Sequence, residues 1–148
     1  MTDVFIVSGV RTAVGTFGGS LKDITPSALV AAVAREAVAR AGIDPEQIGL
    51  AVFGQIVHTD PRDMYISRIA VIEGGLPQHI PAVTVNRLCG SGLQSILTAA
   101  NAIKAGDCDV ALAGGVENMS RAPYQVQAAR WGQKMGDATM KDTLDGAL

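Results

Sequence analysis

The sequence predicts an α/β protein with a mostly parallel sheet and alternating helices. Composition gives the first indication, because 48% of the 148 residues are hydrophobic, only 4% are aromatic, and 17 are glycine. Such a composition suits buried strands and closely packed helices. The order of the patterns gives the second indication, since short runs rich in valine and isoleucine alternate with segments of helical periodicity. This alternation is typical of parallel strands joined by helical crossovers.

The first part of the chain is predicted to form a strand–helix–strand unit with a right-handed crossover. The apolar run 4–10 predicts a buried strand. Thr25 and Pro26 are suited to be the N-cap and the first residue of a helix, and Gly42 is suited to end it. Residues 50–57 predict the second strand.

The middle of the chain continues the alternation. Asp63 is a candidate cap for a second helix, which Gly74 ends. A third strand is predicted over residues 82–86, a third helix begins near Ser91, and a buried strand over 110–113 follows. The third helix carries one apolar stripe, made of Leu93, Ile96, Leu97, Ala100 and Ile103.

A single cysteine lies at the turn between the third strand and the third helix. Residues 83–95 read VTVNRLCGSGLQS, so Cys89 follows a β-branched run and directly precedes a helix. Free backbone N–H groups and the helix dipole favour a thiolate at such a position. The two glycines that follow let the backbone turn and let a substrate come close. The pattern predicts an activated cysteine nucleophile.

Two other interpretations of this segment stay open. Cysteine is often a small buried hydrophobic residue. Residues 90–95 also nearly match the G-x-G-x-x-G/A pattern of dinucleotide-binding turns. Ser95 occupies the last position of that pattern, however, and the next strand lacks an acidic residue at its end, which disfavours a nicotinamide-binding module.

Three segments in order resemble the thiolases. Residues 83–95 resemble the nucleophile segment, residues 114–120 (GGVENMS) a second signature, and residues 11–19 (RTAVGTFGG) the opening loop of that family. The likeness is to a biosynthetic acetyl-CoA acetyltransferase, or β-ketothiolase. It implies half of an αβαβα layered fold, with residues 1–120 as the N-terminal α/β domain. Residues 121–148 would then begin the loop region that lies over coenzyme A and assists tetramerisation.

The resemblance implies an acyltransferase that forms or cleaves β-ketoacyl-CoA through an acyl-cysteine intermediate. Cys89 would be the nucleophile, its backbone N–H would be an oxyanion donor, and Leu148 would contact the substrate. The coenzyme A thioester is then a substrate, with no tightly bound cofactor. Fatty acid metabolism and polyhydroxyalkanoate biosynthesis are the implied settings, and a homodimer or homotetramer is the implied assembly.

The resemblance covers only the N-terminal part of the family. The acid/base groups of thiolases lie in Gly-His-Pro, Cys-x-Gly-Gly-Gly and Asn-Glu-Ala-Phe motifs, and this sequence contains none of them. We therefore expect the chain to be inactive alone and to need a C-terminal half as its partner. The alternative is a non-catalytic fragment that keeps only the assembly surface. Acyl-chain length and the preferred direction of the reaction stay open.

Charge and residue spacing disfavour several other classes. A net charge of −2 gives no reason to expect a nucleic acid or a membrane surface as partner. The N-terminus does not read as a signal peptide, so a cytoplasmic location is expected. His58 and His79 lack metal-ligand spacing, and no metal is expected. A helix roughly 22 Å long separates Cys89 from Cys108, which is too far for a disulfide.

Overall fold

A computed structural model describes residues 3–147, which form a parallel sheet with helices between its strands. In chain order the main elements are α1 (Pro26–Ala41), β1 (Ile48–Gly54), α2 (Ile66–Glu73), β2 (Ala82–Val85), α3 (Ser91–Ala105) and β3 (Val110–Gly115). The strand order is β2-β1-β3, and both neighbours run parallel to β1. Helices α2 and α3 are therefore the two crossovers, and the predicted fold class is confirmed.

The ends of α1 follow the predicted capping. The hydroxyl of Thr25 accepts a hydrogen bond from the backbone N–H of Ala28, and Pro26 opens the helix. Gly42 ends it in the left-handed region at φ 64°. The start of α2 differs from the prediction. A short 3₁₀ turn precedes it, Asp60 is the cap of that turn, and Asp63 is the buried third residue of the capping box.

The main hydrophobic core lies between β1 and the helices α1 and α2. Its buried members include Val30, Ala34, Val38, Ala51, Phe53, Ile66, Ile69 and Ala70. Helix α3 packs on the other face of the sheet. Side chains alternate along a strand, and Phe53 belongs to this core, whereas the α-carbon of the next residue, Gly54, abuts Ser91 at the start of α3.

Helix α3 presents its small residues to the sheet. The buried positions are Ser91, Ser95 and Ala99. The hydroxyl of Ser95 donates to the carbonyl of Gly114 on β3 at 2.7 Å, so the helix lies close to the strand. The predicted apolar stripe is therefore not the face that the sheet buries. Its larger residues point away and are 63%, 41% and 44% exposed at Leu93, Ile96 and Leu97.

The predicted strand over residues 4–10 is wrong for this structure. The segment is extended but pairs with no strand among residues 3–147, and Phe5, Ile6 and Val7 are 79%, 81% and 68% exposed. A strand requires a neighbour with matching hydrogen-bond groups, and apolar character does not supply one. The first strand–helix–strand unit consequently begins at β1, not at residue 4.

The chain has little regular secondary structure after Ser120. Two short strands, β4 (Tyr124–Gln125) and β5 (Lys141–Asp142), form an antiparallel pair, and 3₁₀ turns fill much of the remainder. Most side chains are exposed, including Trp131 at 84%. The role in covering coenzyme A and in tetramer assembly stays a prediction. Within the described part of the chain, no helix is long and apolar enough to span a bilayer.

Candidate active site

Cys89 lies on a tight turn that joins β2 to α3. The side-chain oxygen of Asn86 accepts the backbone N–H of Leu88 at 3.0 Å. The hydroxyl of Ser91 accepts the N–H of Arg87 at 2.8 Å and donates to the carbonyl of Leu88 at 2.6 Å. Leu88 has a φ of 49°, a conformation that costs a non-glycine residue about 1–2 kcal/mol. These bonds hold the turn and leave Cys89 exposed.

Two glycines allow α3 to begin directly against the sheet. A Cβ on Gly54, at the end of β1, would lie 2.7 Å from backbone atoms of Ser91. A Cβ on Gly115, at the end of β3, would lie 3.3 Å from the Cα of Gly92. The first turn of α3 therefore rests on the carboxyl ends of two strands. Cys89, two residues before that turn, is placed at this edge of the sheet.

Glu117 connects the segments that follow the carboxyl ends of β1 and β3, at the same edge of the sheet. Its two carboxylate oxygens accept the backbone N–H groups of Ile56 and Val57, each at 3.0 Å. Burial raises the pKa of Glu117, while the two backbone hydrogen bonds and the nearby His58 act in the opposite direction. The carboxylate is thus partly removed from water and is held by two donors from one short segment.

The signature 114–120 also fixes the loop that precedes α1. The side-chain amide of Asn118 is 8% exposed and donates to the carbonyls of Leu21 and Ile24 at 3.0 and 2.7 Å. The hydroxyl of Ser120 accepts the backbone N–H of Gly18 at 2.9 Å. Two of the three segments that resemble the thiolases are therefore in direct contact, although about 100 residues of sequence separate them.

Cys108 lies at the opposite end of the sheet. It precedes β3, and its Cβ lies close to the α-carbon of Gly49 near the start of β1. Because β1, β2 and β3 are parallel, this is the edge farthest from the turn that follows β2. Burial, followed by the charges of Asp107 and Asp109, raises the pKa of the Cys108 thiol. Both cysteines are free, and only Cys89 is placed at the strand exits.

Arg11 and His79 make only surface contacts in this structure. Arg11 donates to the carbonyl of its neighbour Thr12 on the surface. The Nδ1 atom of His79 lies 3.7 Å from Glu46, with both side chains exposed. Leu148, which the resemblance assigns to substrate binding, lies outside the described residues, and that assignment stays a prediction.

The sequence gives no role to Glu117, Asn118 or Ser91 beyond their place in a signature. Polar residues that follow two glycines at the end of a predicted strand are a usable signal for Glu117 and Asn118. Glu117 accepts from backbone N–H groups 60 and 61 residues away, and Asn118 donates to carbonyls 94 and 97 residues away, so sequence spacing does not reveal these contacts.

Fold and site together define an α/β protein with an exposed cysteine at the N-terminus of a helix. The chain belongs to the thiolase family, since residues 4–147 match the family model described as "Thiolase, N-terminal domain". This confirms the resemblance that the three segments indicate. The match extends past residue 120 and therefore includes the short strands β4 and β5.

Individual relatives agree with the family. The chain is 58% identical over 146 residues to β-ketothiolase BktB of Cupriavidus necator, which covers 99% of this chain and 37% of the relative. It is 49% identical over 144 residues to an acetyl-CoA acetyltransferase of the same organism, covering 97% and 36% of the two chains. The chain therefore spans about a third of the length of these relatives.

Solved structures show the same fold. The crystal structure of the Bacillus anthracis acetyl-CoA acetyltransferase superposes with a TM-score of 0.90 at 37% identity, covering 97% of this chain and 36% of that one. Human mitochondrial 3-ketoacyl-CoA thiolase, crystallised in complex with CoA, superposes with a TM-score of 0.89 at 38% identity, covering 95% and 36%.

Proposed function

We propose that this chain is the nucleophile-bearing part of a thiolase-type acyltransferase that acts on coenzyme A thioesters. The observation that carries the proposal is the position of Cys89, exposed on a hydrogen-bonded turn at the start of α3. A thiol at the N-terminus of a helix is suited to nucleophilic catalysis. The names of the relatives, a β-ketothiolase and acetyl-CoA acetyltransferases, support the substrate class.

In the proposed step, the Cys89 thiolate attacks the carbonyl carbon of an acyl-CoA. A carbon–sulfur bond to Cys89 forms, the bond to the coenzyme A sulfur breaks, and coenzyme A leaves as its thiolate. The backbone N–H of Cys89 is the proposed donor to the oxyanion of the tetrahedral intermediate. A second acyl-CoA, deprotonated at its α-carbon, then attacks the carbonyl carbon of the acyl-cysteine. A carbon–carbon bond forms, the carbon–sulfur bond to Cys89 breaks, and the Cys89 thiolate leaves as the β-ketoacyl-CoA is released. The bases for both proton transfers would come from the C-terminal part of the family fold.

Exposed apolar surfaces of the chain support the C-terminal part of the fold as its partner. The outward stripe of α3 at Leu93, Ile96 and Leu97 is apolar and exposed, and so are residues 5–7. A contiguous exposed apolar surface of this kind is typical of an interface. Strand β2 lies at the edge of its sheet, and we propose that it pairs with a second copy of the chain in the homodimer or homotetramer. A cytoplasmic location and a setting in polyhydroxyalkanoate or fatty acid metabolism belong to the same proposal.

The test is to complete the chain and look for the acyl-enzyme. Residues 1–148 are joined to the matching C-terminal part of β-ketothiolase BktB, and the product is incubated with acetyl-CoA. Peptide mass spectrometry should then show one acetyl group on Cys89, and thiolysis should be visible as loss of the acetoacetyl-CoA absorbance. Cys89→Ser should lose most of this activity, because an alcohol is far less ionised than a thiol at neutral pH.

Matched controls separate the alternatives. Cys108→Ser should retain both the acetyl group on Cys89 and the turnover, because Cys108 lies at the other end of the sheet. A completed, folded protein with no acetyl-cysteine would contradict the proposal and favour a fragment that keeps only an assembly surface. Clear turnover by residues 1–148 alone would contradict the expectation that the acid/base groups lie elsewhere.

A further inference from the structure

We propose that Glu117 is a positioning residue for Cys89, holding in place the strand exit on which the nucleophile turn rests. This inference rests on the proposed function, in which Cys89 is the acyl acceptor. Glu117 does not touch the turn itself. It acts through the segment that follows β1, where its carboxylate accepts the consecutive N–H groups of Ile56 and Val57 at 3.0 Å each.

The contacts lead from that segment to Cys89 in two steps. Gln55, which precedes Ile56, donates its backbone N–H to the carbonyl of Val85, the last residue of β2 before the turn. The preceding residue, Gly54, abuts the backbone of Ser91 and accepts the N–H of Val116 at 3.0 Å. Both ends of the Cys89 turn, at Val85 and at Ser91, therefore contact the chain that Glu117 holds.

The hydroxyl of Ser91 completes the connection. It accepts from Arg87 and donates to Leu88, so a shift of Ser91 would move the residues on the N-terminal side of Cys89. These bonds hold Leu88 at a φ of 49°. A strained backbone conformation of this kind persists only where several surrounding contacts hold it in place. The turn is thus sensitive to displacement of its support.

The pair of hydrogen bonds from Ile56 and Val57 suits a carboxylate at position 117. Ile56 and Val57 lie beyond the last residue of β1, and their two N–H groups need two acceptor oxygens at a fixed separation. An ionised glutamate supplies both, whereas a glutamine supplies one oxygen and two N–H donors. Glu117→Gln therefore keeps the size of the side chain, retains one backbone hydrogen bond and places a donor against the other N–H.

The experiment compares Glu117→Gln with Glu36→Gln in the completed protein described above. Glu36 is an exposed carboxylate that pairs with Arg40 on α1 and contacts no strand exit, so it controls for loss of one negative charge. We expect Glu117→Gln to lower kcat about 10- to 100-fold, as for a misplaced reactive group, with KM for acetyl-CoA within about two-fold. Glu36→Gln should match the parent protein in both constants.

Cys108 provides an internal report on the fold, since it lies at the far edge of the sheet. In Glu117→Gln, iodoacetamide should label Cys89 about two- to five-fold more slowly, the size of a weakened helix N-terminal interaction. The rate at Cys108 should be unchanged. This measurement does not depend on acyl transfer, so it tests the role of Glu117 even where the acetyl-enzyme is not formed.

Two results would overturn the positioning role. One is a Glu117→Gln protein with the same kcat and the same Cys89 labelling rate as Glu36→Gln. The other is faster labelling of Cys108 together with the loss of kcat, which would show general loosening of the fold. Absence of the acetyl group on Cys89 in the parent protein would instead contradict the proposed function.

Discussion

Replacing the outward stripe of α3 with glutamine should weaken binding to the C-terminal part of the fold. The free energy of unfolding of residues 1–148 should change little. The change is Leu93→Gln, Ile96→Gln and Leu97→Gln together, with glutamine chosen because its helix propensity is close to that of leucine. The three side chains are 63%, 41% and 44% exposed, which together equals about one and a half fully exposed residues.

The magnitude follows from that exposed surface. Burying one leucine or isoleucine side chain completely contributes about 1.5–3 kcal/mol. Covering the exposed part of the stripe therefore contributes roughly 2–4 kcal/mol to association, and its loss should raise the dissociation constant about 30- to 1000-fold. The free energy of unfolding of residues 1–148 should change by less than about 0.5 kcal/mol for each substitution, as for surface positions.

The assay titrates the chain with the isolated C-terminal part of β-ketothiolase BktB in a calorimeter and measures urea unfolding of the chain separately. Binding of a hydrophobic dye by the lone chain should also fall. Ala99→Gln is the matched control, because Ala99 lies on the same helix but faces the sheet at 5% exposure. It should lower the free energy of unfolding by about 1–3 kcal/mol. Equal destabilisation by the triple change and by Ala99→Gln would refute the assignment of the two faces.

Three further outcomes are expected. Limiting iodoacetamide at neutral pH should label Cys89 before Cys108, since Cys89 is the more exposed thiol and burial raises the pKa of Cys108. Raising the pH should speed the labelling of Cys108 as its thiolate forms, and equal rates for the two cysteines at neutral pH would contradict this. Gly54→Ala should lower the free energy of unfolding in urea by about 1–3 kcal/mol, since its Cβ would meet the first turn of α3, whereas Gly9→Ala, with open space around its Cβ, should not. Asn118→Ala should lower the free energy of unfolding by about 1–3 kcal/mol, because it removes two hydrogen bonds to partly buried carbonyls. Limited proteolysis should then cut the loop before α1 sooner, and an unchanged cleavage rate would count against that anchor.

Local signals in the sequence account for most of the fold. The caps of α1, the start of α3 at Ser91 and the parallel order of strands and helices all follow from short-range patterns. The run 4–10 is the largest exception, because its hydrophobicity indicates that something covers it but not that a strand pairs with it. Strand formation depends on a neighbour elsewhere in the chain or beyond it, and local composition contains no information about that neighbour.

The position of Cys89, the candidate nucleophile, was predictable from the sequence, but the contacts that support its turn were not. Cys89 stands out because a strand, two glycines and a helix surround it within 13 residues of sequence, and the structure places it on an exposed turn. The hydrogen bonds of Glu117 and Asn118 span 60 to 97 residues, so only the folded chain reveals them. Gly54 similarly lies within the strand predicted over residues 50–57, and only the structure shows it as a point of close contact with α3.

The two faces of α3 connect the fold to the proposed chemistry. A helix that packs against one sheet needs a single apolar face, but α3 pairs a small-residue face at Ser91, Ser95 and Ala99 with a larger apolar stripe on the other side. The small face lets the helix approach the strand exits closely enough to support the Cys89 turn. The large stripe is suited to a second layer, which in our proposal brings the acid/base groups. In that proposal one rigid helix would contact both layers, so its N-terminus would set the position of Cys89 relative to each. A shift in either interface should then change acyl transfer more than it changes folding stability.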